Sequence, residues 1–229
     1  SGMIDIWHKY CQSQLRDSFH PLDDMLIFST TAVTKEMYES KRLPYPLEPT
    51  PIPAYEEIMS TLYDPDDRTK LEWAIGSIVN GDSKVIQKFI VLYGEPGSGK
   101  STVLNIIQQL FEGYYSIFDS KALTSASNAF ALEAFRSNPL VAIEHDGGLS
   151  RIEDNTKLNS LVSHEQMMIN EKFKSAYVNR FKSFLFMGTN KPVRITDSKS
   201  GIIRRLIDVE PSRRKIPSDR YYTLIGKIK

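Results

Sequence analysis

From residue 84 onward, short apolar runs alternate with stretches of helical periodicity. The runs predict strands at 87–93, 114–118, 139–144, 183–188 and 205–209. Apolar residues three and four apart predict helices at 100–111, about 127–136 and 155–163. Such alternation predicts an α/β fold, a central and mainly parallel sheet flanked by helices. The earlier part reads differently. Ile4, Ile6, Trp7, Tyr10 and Leu15 predict a short helix, and Met25-Leu26-Ile27-Phe28 a strand or a packed turn. Pro44, Pro46, Pro49, Pro51 and Pro53 then form a stiff connector that no regular helix tolerates. Helices are predicted at 54–62 and 66–79; the second has Leu71, Ala74, Ile75 and Ile78 on one face, Asp66 or Asp67 as its cap and Asn80-Gly81 as its end. Trp7 and Trp73 read as core residues. The expected organisation is a small, mostly helical region at 1–83 carrying the connector 44–53, a core at 84–211, and at 212–229 the start of a C-terminal element that the chain does not finish.

One segment carries chemistry outright. Gly94-Glu95-Pro96-Gly97-Ser98-Gly99-Lys100-Ser101 fits G-x-x-x-x-G-K-[ST], with Thr102 next in the chain. Phe89-Ile90-Val91-Leu92-Tyr93 precedes it as a buried strand, and Val103, Leu104, Ile106, Ile107, Leu110 and Phe111 follow as one helix. Strand, glycine loop and helix together distinguish a phosphate-binding P-loop from a chance match. The glycines permit a tight turn whose N–H groups face inward, and the helix N-terminus adds partial positive charge. Lys100 is placed to reach the β- and γ-phosphates, and the Ser101 hydroxyl to ligate Mg²⁺. The chain therefore reads as a binder of a nucleoside triphosphate.

Composition narrows the setting. The 229 residues are 41% hydrophobic and 25% charged, ordinary values for a globular protein. A lone Cys11 excludes an internal disulfide and a multi-cysteine zinc site. No apolar run has the length of a membrane span and no secretory signal pattern is visible, so an intracellular protein that is not secreted is expected. Ser1-Gly2 ahead of Met3 reads as a remnant before a natural start. The net charge of +1 hides an asymmetry. Residues 1–170 carry 14 Lys and Arg against 23 Asp and Glu, a balance of −9, whereas residues 171–229 carry 15 against 5, a balance of +10. A basic last quarter points to an anionic partner, either nucleic acid or nucleotide phosphate.

Four further segments are candidates for the same machinery. Leu140-Val141-Ala142-Ile143-Glu144-His145-Asp146 is an apolar strand ending in acids, where a P-loop ATPase needs carboxylates for Mg²⁺ and the attacking water. Glu144 and Asp146 share a face if the strand runs through both, but Gly147-Gly148 implies a turn, and their roles stay unassigned. Phe184-Leu185-Phe186-Met187-Gly188-Thr189-Asn190 ends in an amide, Asn190, that can bond the γ-phosphate or position water. Between these strands lie Lys172 and Lys174, on one face of an extended strand with Phe173 on the other, a hairpin arrangement suited to gripping a single-stranded backbone. Last, Arg204-Arg205 precedes an apolar strand; one is a candidate arginine finger for a neighbouring subunit, the other a partner for acids of its own subunit.

In this order and at this spacing, the segments from about Lys84 to Pro211 resemble superfamily 3 helicases, the AAA+-like motors of viral, phage and plasmid replication proteins. The pattern is most similar to the helicase part of phage and poxvirus-type primase–helicases. Gly94 to Ser101 resembles motif A, Glu144 with Asp146 motif B, residues 163–182 with Lys172 and Lys174 motif B prime, Asn190 motif C, and Arg204-Arg205 the following arginine pair. The resemblance implies ATP and Mg²⁺ as cofactors, a usually hexameric ring with ATP between subunits, and single-stranded DNA in the central channel. It also implies a primase or replication-initiation partner and a place in the cytoplasm of a host cell. Three departures stand out: His145 separates the motif-B acids, residues 1–83 show no primase motif, and the chain beyond the arginines is shorter than the family's usual C-terminal domain. The expected function is an ATP-dependent DNA helicase motor. Two rivals are a P-loop small-molecule kinase, which leaves Asn190, the arginine pair and the lysine hairpin without roles, and a nucleotide-gated assembly module without unwinding activity.

Overall fold

The computed structural model describes residues 2–18, 26–33, 41–149, 152–170, 175–193 and 201–228. They divide into two units, Ser1–Pro49 and Thr50–Lys229, at a boundary inside the proline stretch. In the first unit, α1 (Gly2–Ser18) is exposed from Gly2 to Tyr10. The apolar run around Ile27 forms a packed turn. Ile27 makes a single bridge to Arg42, the Leu43 N–H donates to the Ile27 carbonyl (2.8 Å), and the Thr31 N–H closes back on the Phe28 carbonyl (3.0 Å). Ile27, Phe28 and Leu43 are buried, while Met25 lies outside the described residues.

The second unit starts with α2 (Pro53–Leu62), α3 (Pro65–Asn80) and a single turn, α4 (Ser83–Ile86). These three helices share that unit with the glycine loop. Then follow β1 (Phe89–Tyr93), α5 (Lys100–Leu110), β2 (Tyr115–Ile117), α6 (Ser120–Leu123), β3 (Val141–Glu144) and α7 (Thr156–Val162). A hairpin of β4 (Gln166–Ile169) and β5 (Tyr177–Arg180) comes next, then β6 (Phe184–Thr189), β7 (Leu206–Val209) and α8 (Ser218–Ile228). Strands β2-β3-β6-β1-β7 form one sheet in that order, every pair parallel; β4 and β5 form a separate antiparallel pair.

The five predicted strands are the five strands of this sheet. Their apolar runs fit it because a parallel sheet is covered on both faces and its strands need no polar side. All four residues of β3 and all six of β6 are buried. The order also fixes where a ligand fits. The chain leaves the sheet at β1, returns at the β2 edge, and works back through β3 and β6 before β7 joins the other side of β1. Such a change of winding direction opens a crevice at the carboxyl ends of the central strands.

Three local expectations need correction. Helix α3 has Asp64 at the cap position and Pro65 in its first turn. Asp66 and Asp67 therefore sit within that turn, where their charge suits the helix dipole. Residues 127–136 form turns and one short 3₁₀ stretch (Glu133–Phe135) instead of an α-helix. There the Asn128 side chain accepts the Phe130 N–H (3.0 Å), an alternative to helical bonding. Trp7 and Trp73 are exposed, at 64% and 43%. Trp73 lies off the α3 stripe whose Leu71, Ala74 and Ile78 are buried. Sequence pattern also missed α6, which Asp119 caps by accepting the N–H groups of Lys121 (2.8 Å) and Ala122 (3.2 Å).

Candidate functional site

The glycine loop leaves the end of β1 and enters α5 at Lys100. Gly99, at the helix cap, has φ of 102°, and a Cβ there would stand 3.0 Å from the Leu62 side chain. Both the left-handed backbone and the close approach demand glycine. Tyr63, next to Leu62, donates its hydroxyl to the Gly99 carbonyl (3.2 Å), so the end of α2 is seated on the loop. At the start of the loop the Gly94 N–H donates to the Thr189 carbonyl (3.2 Å), tying it to the tip of β6.

A cleft of about 520 Å³ opens above these strand ends. Pro96, Gly97 and Gly99 to Thr102 line it from the loop; His145, Asp146 and Asn190 line it from the tips of β3 and β6. Lys100 is buried, and its ammonium donates to the Gly94 (2.6 Å) and Glu95 (2.8 Å) carbonyls. Burial holds this ammonium below the usual lysine range, and the Asp146 charge opposes that shift. Burial likewise lowers the His145 imidazole, which favours its neutral form near pH 7.

The two candidate acids part company here. β3 ends at Glu144, and Asp146 follows in a bend. Asp146 lines the cleft with Ser101, whereas Glu144 is buried beside it. The Ser120 N–H, at the start of α6, donates to Glu144 Oε2 (3.0 Å). Burial raises the Glu144 carboxyl above its usual range, opposed by the hydroxyl and N–H of Ser120. Ser120 Oγ also accepts the Gly148 N–H (3.2 Å), and a Cβ on Gly147 would come within 2.5 Å of Glu144 Oε2. The Gly147-Gly148 pair thus lets the turn wrap closely over a buried carboxylate.

The arginine pair separates as sharply. Arg205 is buried, and its bonds go to a hydroxyl and a carbonyl instead of the expected acids: Nε (3.1 Å) and Nη2 (2.8 Å) donate to Ser163 Oγ and Nη1 to the Gly201 carbonyl (3.1 Å). Arg204 is exposed. Neither arginine lines the cleft. The β4–β5 hairpin exists, but Lys172 and Lys174 lie outside the described residues.

The cleft has another wall that pattern reading missed: Leu62, Lys215, Ile216 and Tyr221. The Tyr221 hydroxyl lies 3.1 Å from Thr102 Oγ1. Lys215 comes from a strap before α8 that Arg214 fastens to the end of α2, donating to the carbonyls of Thr61 (2.9 Å) and Ser60 (3.1 Å) and pairing with Asp64 (3.0 Å). The positive excess of the last quarter was the available signal, but it did not single out Lys215. Among the described residues no group of three or more His, Cys, Asp and Glu is placed to hold a metal ion. Ser101 and Asp146 still fit Mg²⁺, a hard cation that takes few protein oxygens and completes its shell with water and phosphate. Among the described residues no helix is long and apolar enough to cross a membrane.

Comparison with known proteins agrees with this architecture. A family model described as "Family of unknown function (DUF5906)" matches residues 92–205, from the end of β1 to Arg205. A structure of the NrS-1 C-terminal region without ligand superposes with a TM-score of 0.57 at 16% identity, covering 89% of this chain and 52% of that one. A JCV helicase bound to a small molecule superposes with a TM-score of 0.52 at 17% identity, covering 76% of this chain and 50% of that one. No curated protein matches the chain. At these identities the likeness is one of fold, a mixed α/β unit with a central parallel sheet. The chain spans about half the length of the solved structures it matches.

Proposed function

We propose that the chain is the ATP-dependent motor of a superfamily 3 type DNA helicase, from a phage or mobile-element replication protein. One observation carries the reading: Lys100, Ser101, Asp146 and Asn190, from the tips of three adjacent parallel strands, line a single cleft. In that cleft the loop N–H groups and the α5 N-terminus receive the phosphates of ATP. Phosphate oxygens compete with the Gly94 and Glu95 carbonyls for the Lys100 ammonium. Mg²⁺, held by Ser101 and Asp146, would neutralise charge on the β- and γ-phosphate oxygens. Asn190 orients the attacking water or bonds the γ-phosphate. Water attacks the γ-phosphorus, the bond to the bridging oxygen breaks with ADP leaving, and the water's proton passes to an oxygen of the transferred phosphate. Glu144, fastened to Ser120, braces the turn that presents Asp146.

A ring completes the site. Arg205 is bonded within its own chain, so exposed Arg204 is the member of the pair suited to reach a neighbour's γ-phosphate. Single-stranded DNA would pass the β4–β5 hairpins, with Lys172 and Lys174 on its phosphates.

The decisive experiment is steady-state ATP hydrolysis with and without single-stranded DNA, over a range of protein concentrations. Turnover is expected to rise with both, to vanish in Lys100→Ala, and to fall by about 10³-fold in Arg204→Ala, as loss of an arginine finger does. Hydrolysis indifferent to DNA and to concentration sinks the ring model and favours the small-molecule kinase. Nucleotide-dependent assembly without strand separation favours the assembly module.

A further inference from the structure

The base of the β4–β5 hairpin is tied into the chain by an unusual set of buried polar groups. Ser163 ends α7 and His164 follows it with φ of 52°, a left-handed backbone outside glycine. Both are buried. His164 Nδ1 lies 2.7 Å from the Phe181 carbonyl, just past the end of β5, and Nε2 lies 2.7 Å from Ser83 Oγ at the start of α4. A carbonyl only accepts, so Nδ1 carries the proton, and Nε2 accepts from the Ser83 hydroxyl. One neutral imidazole thus pins the two feet of the hairpin together and anchors them to α4.

Ser163 supplies the second half of the link. Its hydroxyl oxygen accepts from both Nε and Nη2 of Arg205, and the third bond of that guanidinium goes to Gly201. Arg205 adjoins Arg204 in the chain, and its own carbonyl accepts the first N–H of β1, from Phe89 (2.9 Å). The far end of β1 is the glycine loop. A continuous run of bonds and one strand therefore joins the hairpin, the exposed arginine and the nucleotide cleft.

We infer that Ser163, His164 and Arg205 form a clamp that couples the β4–β5 hairpin to Arg204, so that displacement of one displaces the other. The inference rests on the reading of Arg204 as the residue that acts on a neighbour's nucleotide and of the hairpin as the DNA contact. Arg205 and Ser163 are then positioning residues. They transmit a state of the neighbouring site and touch neither ATP nor DNA.

Hydrogen exchange on the full chain tests the clamp without any activity. Ser163→Ala strands two buried guanidinium donors, and exchange should rise about tenfold both in the hairpin strands and at residues 201–206. Exchange in α5 and β6 should stay at the parent level, and Ser163→Thr, which keeps the hydroxyl, should restore the parent pattern. Arg205→Lys, which keeps the charge but not the fork, is the second variant and should give the same paired rise. A rise on one side only, or an equal rise in α5 and β6, overturns the inference. ATPase assays then read the consequence: Ser163→Ala should keep basal turnover within about twofold and lose most of its DNA stimulation, with recovery in Ser163→Thr. Unchanged stimulation in Ser163→Ala overturns the coupling. A parent chain with no DNA stimulation defeats the motor reading instead, and exchange alone then decides the clamp.

Discussion

The five-stranded sheet and the β4–β5 hairpin are built on opposite principles. Strands β1, β3 and β6 are enclosed on both faces, and along β6 every side chain is buried. The hairpin alternates: Met167 and Ile169 are buried, while Met168 and Val178, directly opposite each other, are exposed at 67% and 59%. A strand enclosed on both sides cannot shift without repacking two layers, so the sheet holds its loop tips in fixed positions. A two-stranded ribbon with one wet face opens at much lower cost, as suits a part that must move. Position comes from the first and motion from the second.

The comparison breaks first if the sheet proves soft. Phe186 is fully buried in β6 beside Phe184, their ring centroids 5.1 Å apart. Phe186→Ala should cost about 3–5 kcal/mol, read as a lower midpoint in urea unfolding. A loss under about 1 kcal/mol would mean that the strand tips are not rigidly held. The second test concerns what those tips present. Asp146→Asn should reduce Mg²⁺-dependent hydrolysis on the order of 100-fold and raise the Mg²⁺ concentration needed for half activity. Glu144→Gln keeps an acceptor for the Ser120 N–H and should leave the Mg²⁺ requirement alone. The reverse result would exchange their roles.

Acid sharpens the comparison at the hairpin. Burial holds His164 below the usual histidine value of 6.5; Lys182, Lys84 and Arg180 add to the shift, and the bond to Phe181 opposes it. The opened or unfolded form therefore takes up a proton that the native form refuses. Stability is flat above the unfolded value and falls as pH drops below it toward the lowered native value. Glu144 has the opposite sign: its raised carboxyl contributes stability that is lost as pH rises through its native value. Intrinsic-rate-corrected exchange at about pH 5.5 should thus be faster in the hairpin than at about pH 7.5, and little changed in β1 and β6. His164→Gln keeps a donor and an acceptor and should flatten the dependence. Equal acceleration in hairpin and sheet would defeat the idea that the two open independently.

These contrasts were unequally legible in the sequence. The enclosed strands announced themselves as unbroken apolar runs, because no face needed polar residues. The glycine loop was legible because its spacing serves a backbone shape that few other residues permit. What stayed hidden depends on distant partners. Nothing local distinguishes Arg204 from Arg205; the difference is Ser163, 42 residues away. Glu144 and Asp146 part because α6 offers Ser120 to one of them, and α6 is a single turn too short to leave a periodic signal. Lys215 and Tyr221 reach the cleft only because the strap before α8 is fastened to α2. The turns at 127–136 hide from pattern reading because their apolar spacing resembles a helix while Asn128 offers a competing bond.

The smallest expected effect isolates the hairpin's wet face. Met168 and Ile169 are neighbours on β4, yet one is largely exposed and the other fully buried. Ile169→Ala removes packing from a buried apolar cluster and should cost about 2–4 kcal/mol. Met168→Ala removes contacts mostly with water and should change stability by less than about 0.5 kcal/mol. The asymmetry follows from strand geometry alone, since a shift of register by one residue would exchange the two faces. Similar losses at both positions would therefore mean that the outer face is covered, by a second subunit or by another part of the protein. Measuring the pair at two protein concentrations separates those cases, because only cover by a subunit weakens on dilution.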